Sequence, residues 1–141
     1  MSIPVILSIQ GCQYYPEQEP DVIELTTEGT LEFREGGWDI RYEESDLTGL
    51  AGVTTTFRLE PGQVVLQRTG KLRSEMIFRE GISHDSLYHM DFGALMLTVC
   101  AKQINADISP KGGTVDLVYD IQIEGMAAGL VEYHLDIRAK V

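Results

Sequence analysis

Alternation of apolar and polar residues with a period of two runs along most of the chain. Apolar residues occupy every second position over residues 131–139 and 115–123, and the same pattern holds near the start, over residues 3–9. Successive side chains of a β-strand point to opposite faces, so this period is typical of antiparallel strands with one buried and one solvated face. Helical spacing is not convincing anywhere. The chain is therefore predicted to be all-β.

Turns that contain glycine separate the alternating runs. They include Glu28-Gly29, Gly36-Gly37, Pro61-Gly62 and Lys111-Gly112-Gly113, and residues 125–129 lead into the last run. Short turns of this kind connect neighbouring antiparallel strands. Nine or ten strands joined in this way form an up-and-down meander, and closing such a sheet removes its exposed edges. We predict a closed antiparallel up-and-down β-barrel of about 8–10 strands, in one domain over residues 1–141. The alternative is a two-sheet sandwich.

Several short segments, taken together and in order, resemble a known family. They are Ile40-Arg41-Tyr42-Glu43-Glu44, Gly52-Val53-Thr54-Thr55-Thr56-Phe57, Arg68-Thr69-Gly70, Ser74-Glu75-Met76-Ile77-Phe78, Gly81, His84, Tyr88 and Phe92-Gly93. In this succession the chain resembles the YwiB-like family of uncharacterised bacterial proteins, over nearly its whole length. The resemblance implies a calycin-like, lipocalin-type barrel in the cytoplasm of Gram-positive bacteria. It implies no biochemical activity.

The charge balance excludes several partners. With 22 acidic and 11 basic residues the formal net charge is −11. Binding to a phosphate backbone or to an anionic membrane surface depends on lysine and arginine, so neither nucleic acid nor membrane is expected as a partner. The first basic residue is Arg34, which gives no cationic region typical of a signal peptide. The chain is predicted to be cytoplasmic.

Two cysteines, Cys12 and Cys100, are too few for a disulfide scaffold. In a cytoplasmic protein we expect two reduced thiols, with a single bridge as the alternative if their strands are neighbours. His84, Asp85, His89 and Asp91 contain metal-ligand residue types, but a spacing of five places the two histidines on opposite faces of a strand. No metal and no cofactor are predicted.

Catalytic motifs are absent from the sequence. It contains no Gly-x-Ser-x-Gly elbow, no phosphate-binding glycine-rich loop with Lys-Ser/Thr and no His-Glu-x-x-His. Ser83, His84 and Asp85 are consecutive, so on a strand they cannot converge on one reacting atom. The protein is predicted not to be an enzyme.

A few charged residues share the register of apolar neighbours. Arg68 has the parity of Val64 and Leu66, and Glu44 has the parity of the aromatic and aliphatic residues before it. Such charges either reach water at strand ends or form a polar patch at the mouth of the barrel. In the second interpretation Arg68 anchors an anionic group, with Tyr88 and Thr55 as hydrogen-bond donors. The remaining candidate ligand contacts are aromatic, with core filling as the alternative role: Trp38, Phe57 and Phe78.

Strand order places Glu44 and Arg68 at the same rim of the barrel. Each closes its strand, and one strand lies between them, which sets them roughly 10 Å apart. We therefore predict a polar cluster at that rim, with Thr54 or Thr55 between the two and a guanidinium–carboxylate contact, either direct or through water.

Two classes of function follow from these features. The first is a barrel that binds a small apolar or amphipathic ligand, which can carry a negative charge. The second is a non-enzymatic interaction protein with a filled barrel, whose acidic surface favours a basic protein partner. A homodimer is the other partner expected for this class. The volume inside the barrel distinguishes the two.

Overall fold

The computed structural model describes residues 2–15, 17–45, 50–90 and 93–140. These residues form ten β-strands and, within the described ranges, no helix. The strands are β1 (Ser2–Tyr14), β2 (Asp21–Arg34), β3 (Gly37–Glu43), β4 (Val53–Glu60), β5 (Gln63–Gly70), β6 (Ser74–Phe78), β7 (Ser83–Met90), β8 (Gly93–Ser109), β9 (Gly112–Ile123) and β10 (Met126–Ala139). No helix among these residues is long and apolar enough to cross a membrane.

The ten strands form one antiparallel sheet that curls into a nearly closed barrel. Their order is β6-β5-β4-β3-β2-β1-β10-β9-β8-β7, so strands that are neighbours in sequence pair with each other, except β6 and β7, which form the two edges of the sheet. The first strand also pairs with the last. The β1–β10 ladder is continuous from Val5↔Ala139 to Tyr14↔Leu130. The predicted up-and-down barrel is therefore confirmed, and the two-sheet alternative is wrong because a single sheet contains all the strands.

The barrel is incomplete between β6 and β7. Isolated bridges join the chain on either side of this junction, at Arg73↔His89 and Arg79↔Ile82. Between them Ile77 donates its backbone N–H to the Nδ1 atom of His84, at 3.4 Å, and the described residues form no regular ladder there. We call this junction the β6–β7 seam.

One predicted turn, Glu28-Gly29, is wrong. Gly29 lies inside β2 and pairs with Val5 on one side and Tyr42 on the other. A Cβ atom at this position would lie 2.5 Å from the carbonyl oxygen of Arg41 and 2.9 Å from a methyl group of Leu7. The glycine therefore permits close packing within a long strand, a role that sequence alone does not distinguish from a turn.

The interior of the barrel is packed with the apolar residues of the alternating pattern. Phe57 and Phe78 are almost fully buried, and both make ring contacts with tyrosines of the opposite wall. The Phe57 ring meets Tyr133 edge to face at a centroid distance of 6.2 Å, and Phe78 lies 4.5 Å from Tyr119. Each such side chain contributes about 1.5–3 kcal/mol through burial alone. The apolar core therefore fills the middle of the barrel, and free space lies towards one end.

Cys12 and Cys100 are both free thiols. They lie on β1 and β8, and the sheet order places β10 and β9 between these strands. The condition for the alternative bridge, that the two strands be neighbours, is not met.

Candidate functional site

A pocket of about 310 Å³ opens at one end of the barrel. Its walls come from the ends of β1, β2, β3, β5 and β10, and Leu50 contributes from the connection between β3 and β4. We call it the mouth pocket. It is lined by Ile9, Gly11, Cys12, Gln13, Tyr15, Asp21, Ile23, Leu25, Tyr42, Glu44, Leu50, Arg68, Val131 and Tyr133.

Arg68 faces the interior of the barrel from β5. It follows the buried residues Val64 and Leu66 at every second position. Its Nε atom is buried and has no hydrogen-bond partner, and Arg68 makes no ion pair within 4.0 Å among the described residues. Burial by itself lowers the pKa of this guanidinium, but the nearby oxygens of three tyrosines and of Glu44 outweigh it and the net pKa is raised. The side chain is therefore a half-buried positive charge whose Nε atom has no contact with solvent.

Glu44 faces the same pocket and is held by hydroxyl groups. It is buried, and Thr55, which is fully buried, donates its Oγ1–H to Glu44 Oε2 at 2.5 Å. The side chain of Tyr42 also hydrogen-bonds to Glu44. Thr55 pairs with Tyr42 on one side and with Arg68 on the other, so the strand register brings this polar group together.

The predicted rim cluster is thus present in part. Glu44 and Arg68 line the same pocket, and Thr55 lies between their strands. The direct guanidinium–carboxylate contact does not form, because no ion pair of 4.0 Å or less joins these two described residues. Hydroxyl donors from Thr55 and Tyr42 satisfy Glu44 instead, and Arg68 interacts with it at longer range.

The other predicted ligand contacts lie elsewhere. Phe57 and Phe78 belong to the packed core, and Trp38 is half-buried against Phe33 at a centroid distance of 5.0 Å. Tyr88 on β7 is half-buried and packs against the core. None of these four predicted residues lines the mouth pocket. Alternation correctly assigns them to the inner face but does not show how far along the barrel each one lies.

Two tyrosines, Tyr119 and Tyr133, were not among the predicted site residues. Their rings lie nearly parallel with centroids 6.5 Å apart, and both interact with Arg68 electrostatically. The sequence did contain a sign of their inward position, because each occupies an alternating apolar register. Tyr119 follows Val115 and Leu117 at every second position, and Tyr133 follows Val131. A tyrosine in such a register brings a hydroxyl into the barrel.

The described histidines do not form a metal site. His84 faces the seam, Asp85 accepts a hydrogen bond from Thr98 on the outer face, and His89 is exposed. Asp91, the fourth residue of the candidate group, lies outside the described residues. Within the described ranges no group of three or more histidine, cysteine, aspartate or glutamate side chains is arranged to hold a metal ion.

We expect Thr55→Val to lower the free energy of unfolding by about 1–3 kcal/mol, because Glu44 loses a hydroxyl donor in a buried position. Urea denaturation measures this change. The control is Thr54→Val on the outer face, where Thr54 makes the equivalent bond to Glu43 at 3.0 Å. That variant should change stability by less than about 0.5 kcal/mol. Equal effects of the two variants would contradict the buried role of Thr55.

The buried tyrosines predict a loss of stability at high pH. Burial raises the pKa of Tyr42 and of Tyr119 far above the usual value of about 10. In the unfolded chain both phenols ionise near pH 10, so the unfolded state loses protons that the folded state keeps. Stability is then fully present below about pH 10 and falls above it, by up to about 1.4 kcal/mol per pH unit for each tyrosine. Urea midpoints at several alkaline pH values measure the slope.

Tyr42→Phe should remove the contribution of Tyr42 to the fall in stability with pH. Tyrosinate absorbance provides a second readout, in which two of the six tyrosines ionise only when the protein unfolds. Titration of all six near pH 10 in the folded protein would contradict this account.

The fold and the site define a small antiparallel β-barrel with a packed middle and a polar pocket at one mouth. The chain belongs to the family described as Domain of unknown function (DUF1934), which matches residues 7–137. A relative, the "Uncharacterized beta-barrel protein YwiB" of Bacillus subtilis (strain 168), is 30% identical over 104 residues, covering 73% of this chain and 71% of the relative. The family resemblance found in the sequence is confirmed.

A solved structure supports the same fold. The crystal structure of ywiB protein from Bacillus subtilis superposes with a TM-score of 0.88 at 24% identity, covering 99% of this chain and 94% of that one. At this level of identity the match supports the fold alone.

Proposed function

We propose that the protein binds a small apolar molecule that carries one anionic group in the mouth pocket. The observation that supports this most directly is Arg68, a half-buried positive charge that lines the pocket, has a buried Nε atom without a hydrogen-bond partner and makes no ion pair within 4.0 Å among the described residues. A buried charge is costly unless a partner balances it. A bound carboxylate or phosphate supplies such a partner through charge-assisted hydrogen bonds to the guanidinium.

The remaining lining supports an apolar ligand body. Ile9, Leu25 and Val131 contribute aliphatic surface, and Tyr133 adds an aromatic face. Pockets for small ligands are usually mostly apolar with a few placed polar groups, which is the composition found here. Glu44 and Asp21 line the same pocket, so a ligand with a single anionic group fits better than a polyanion.

The size of the pocket limits the ligand. A volume of about 310 Å³ corresponds to roughly ten water molecules at about 30 Å³ each. Octanoate, with eight carbons and two oxygens, is a suitable probe of this class. Octanol has the same chain length with a neutral end, and octylamine has it with a positive end. Comparing the three compounds therefore separates the contribution of the apolar chain to the affinity from the contribution of the charge.

The proposed role is binding without catalysis and without a cofactor. Cys12 lines the pocket, but no histidine stands among its described lining residues to act as a base for a thiol. We place the protein in the cytoplasm, which accords with its two free cysteines. The alternative, an interaction module with a completely filled barrel, is less favoured because the mouth retains free volume.

Native mass spectrometry of the purified protein tests the proposal. We expect a fraction of molecules to carry a non-covalent adduct that is lost under denaturing conditions, or the ligand-free protein to take up octanoate in a one-to-one complex. Failure to detect either complex would overturn the proposed function.

A further inference from the structure

The β6–β7 seam forms a groove on the wall of the barrel. It has a volume of about 470 Å³ and is lined by Gln67, Arg68, Thr69, Arg73, Ser74, Glu75, His84, Ser86, Leu87 and His89. The groove exists because β6 and β7 are joined by bridges beside the junction and not by a ladder along it. Arg68 lines both the groove and the mouth pocket, so its side chain lies between the two spaces.

Three buried polar atoms without a partner belong to residues that line the seam. They are Arg68 Nε, Ser74 Oγ and Ser86 Oγ, and none of them has a hydrogen bond. Ser74 is only 6% exposed and pairs with Arg68 across the β5–β6 ladder, so the two side chains are neighbours on the inner face. Ser86 lines the same groove from β7. Buried polar groups are normally hydrogen-bonded, so three such atoms around one groove indicate a missing acceptor.

The charge around the groove also favours an anion. Arg68 and Arg73 contribute two positive charges against the one negative charge of Glu75, and His84 and His89 add no negative charge. In a protein with a formal net charge of −11, this is a locally positive surface. All three unpartnered atoms can donate a hydrogen bond. The acceptor they fit is an oxyanion.

We propose that the seam binds the oxyanion of the ligand, a carboxylate or a phosphate, through Arg68 Nε–H and the hydroxyl groups of Ser74 and Ser86. This inference rests on the proposed function, because Arg68 then joins the anionic end in the seam to the apolar body in the mouth pocket. The two serines are specificity residues, since each provides one hydrogen bond to the charged group and neither contacts the apolar part.

The test uses the full chain with inorganic phosphate and, separately, acetate as probes. The readout is the NMR signal of Arg68 Nε–H, assigned by its loss in Arg68→Gln. We expect one or both anions to shift this signal, and the anion with the higher affinity identifies the head group. Ser74→Ala and Ser86→Ala should each weaken binding by about five- to tenfold, which is the effect of losing one hydrogen bond.

Ser83→Ala is the matched control, because Ser83 is exposed on the same strand as Ser86 and does not line the groove. The Ser83→Ala variant should bind the anion with the same affinity as the unmodified protein. The proposal is overturned if neither anion shifts the Arg68 signal, or if both serine variants bind as well as the control, in which case only water fills the seam.

Octanol distinguishes the two proposals. If octanol binds but neither anion does, the seam proposal fails and the mouth pocket still holds apolar molecules. If phosphate or acetate binds as expected while octanol does not bind and octanoate binds no more tightly than acetate, the seam site stands and the proposed function in the mouth pocket fails.

Discussion

Replacing Phe57 with alanine is expected to lower the free energy of unfolding by about 3–5 kcal/mol, a large part of the total stability of a small protein. Phe57 is 1% exposed and lies on β4, between the paired strands β3 and β5. Its ring also contacts Tyr133 across the barrel. Removing it deletes the transfer free energy of the ring and leaves a cavity beneath the mouth pocket, because neighbouring strands are fixed by their ladders and cannot close the space.

Denaturation in urea or guanidinium chloride measures this change, and Phe33→Ala is its control. Phe33 is also an aromatic residue on a strand and makes an edge-to-face ring contact with Trp38, but it is 56% exposed. Its loss should cost no more than about 1.5 kcal/mol. Comparable effects of the two variants would show that the middle of the barrel is not the packed core described above.

Gly112→Ala is expected to destabilise the barrel by more than about 2 kcal/mol. Gly112 has φ of +118°, a conformation that residues with a Cβ atom rarely adopt, at a cost of about 1–3 kcal/mol. A Cβ atom there would also lie 2.0 Å from the carbonyl oxygen of Ile137 on β10. Because Gly112 pairs with Ser109 on one side and Arg138 on the other, neither neighbour can move without breaking a ladder.

Gly62→Ala separates the two causes of this loss of stability, the steric contact of the Cβ atom and the unfavourable backbone conformation. Gly62 has φ of +74° in the turn between β4 and β5, and nothing lies within 4 Å of a Cβ atom built there. This variant should lose only about 1 kcal/mol. Thermal denaturation of both variants measures the difference. A loss for Gly112→Ala no larger than that for Gly62→Ala would contradict the close contact with β10.

The fold was predictable because almost every strand carries its own signal. Alternation marks the strands, and the turns at Gly36-Gly37 and Pro61-Gly62 separate them as predicted. The missed element was the continuation of β2 through Gly29, since a glycine that allows close packing looks like a turn in the sequence. The position of the seam was also not predicted, because pairing between strands is a property of the closed barrel rather than of any one segment.

The candidate site was predictable in part, because alternation also shows which face of a strand a charged side chain occupies. The parity of Arg68 and Glu44 correctly placed both on the inner face at one end of the barrel. Parity does not specify hydrogen-bond partners, and Thr55 and Tyr42 rather than Arg68 contact Glu44. Ser74 shares the register of Met76 and Phe78 and so carried a readable signal. In β7 polar residues occupy both registers, so the inward position of Ser86 becomes apparent only in the folded barrel.

Calorimetric titration with octanoate tests most directly whether Arg68 makes the mouth pocket a site for anionic apolar ligands. We expect octanoate to bind more tightly than octanol and more tightly than octylamine. Arg68→Gln should weaken octanoate binding by about ten- to hundredfold, the effect of losing a charge-assisted hydrogen bond, and leave octanol binding unchanged. Arg41→Gln, which removes an exposed arginine from the outer face of β3, should change neither affinity. Equal binding of octanoate by the Arg68→Gln variant and the unmodified protein would contradict the account.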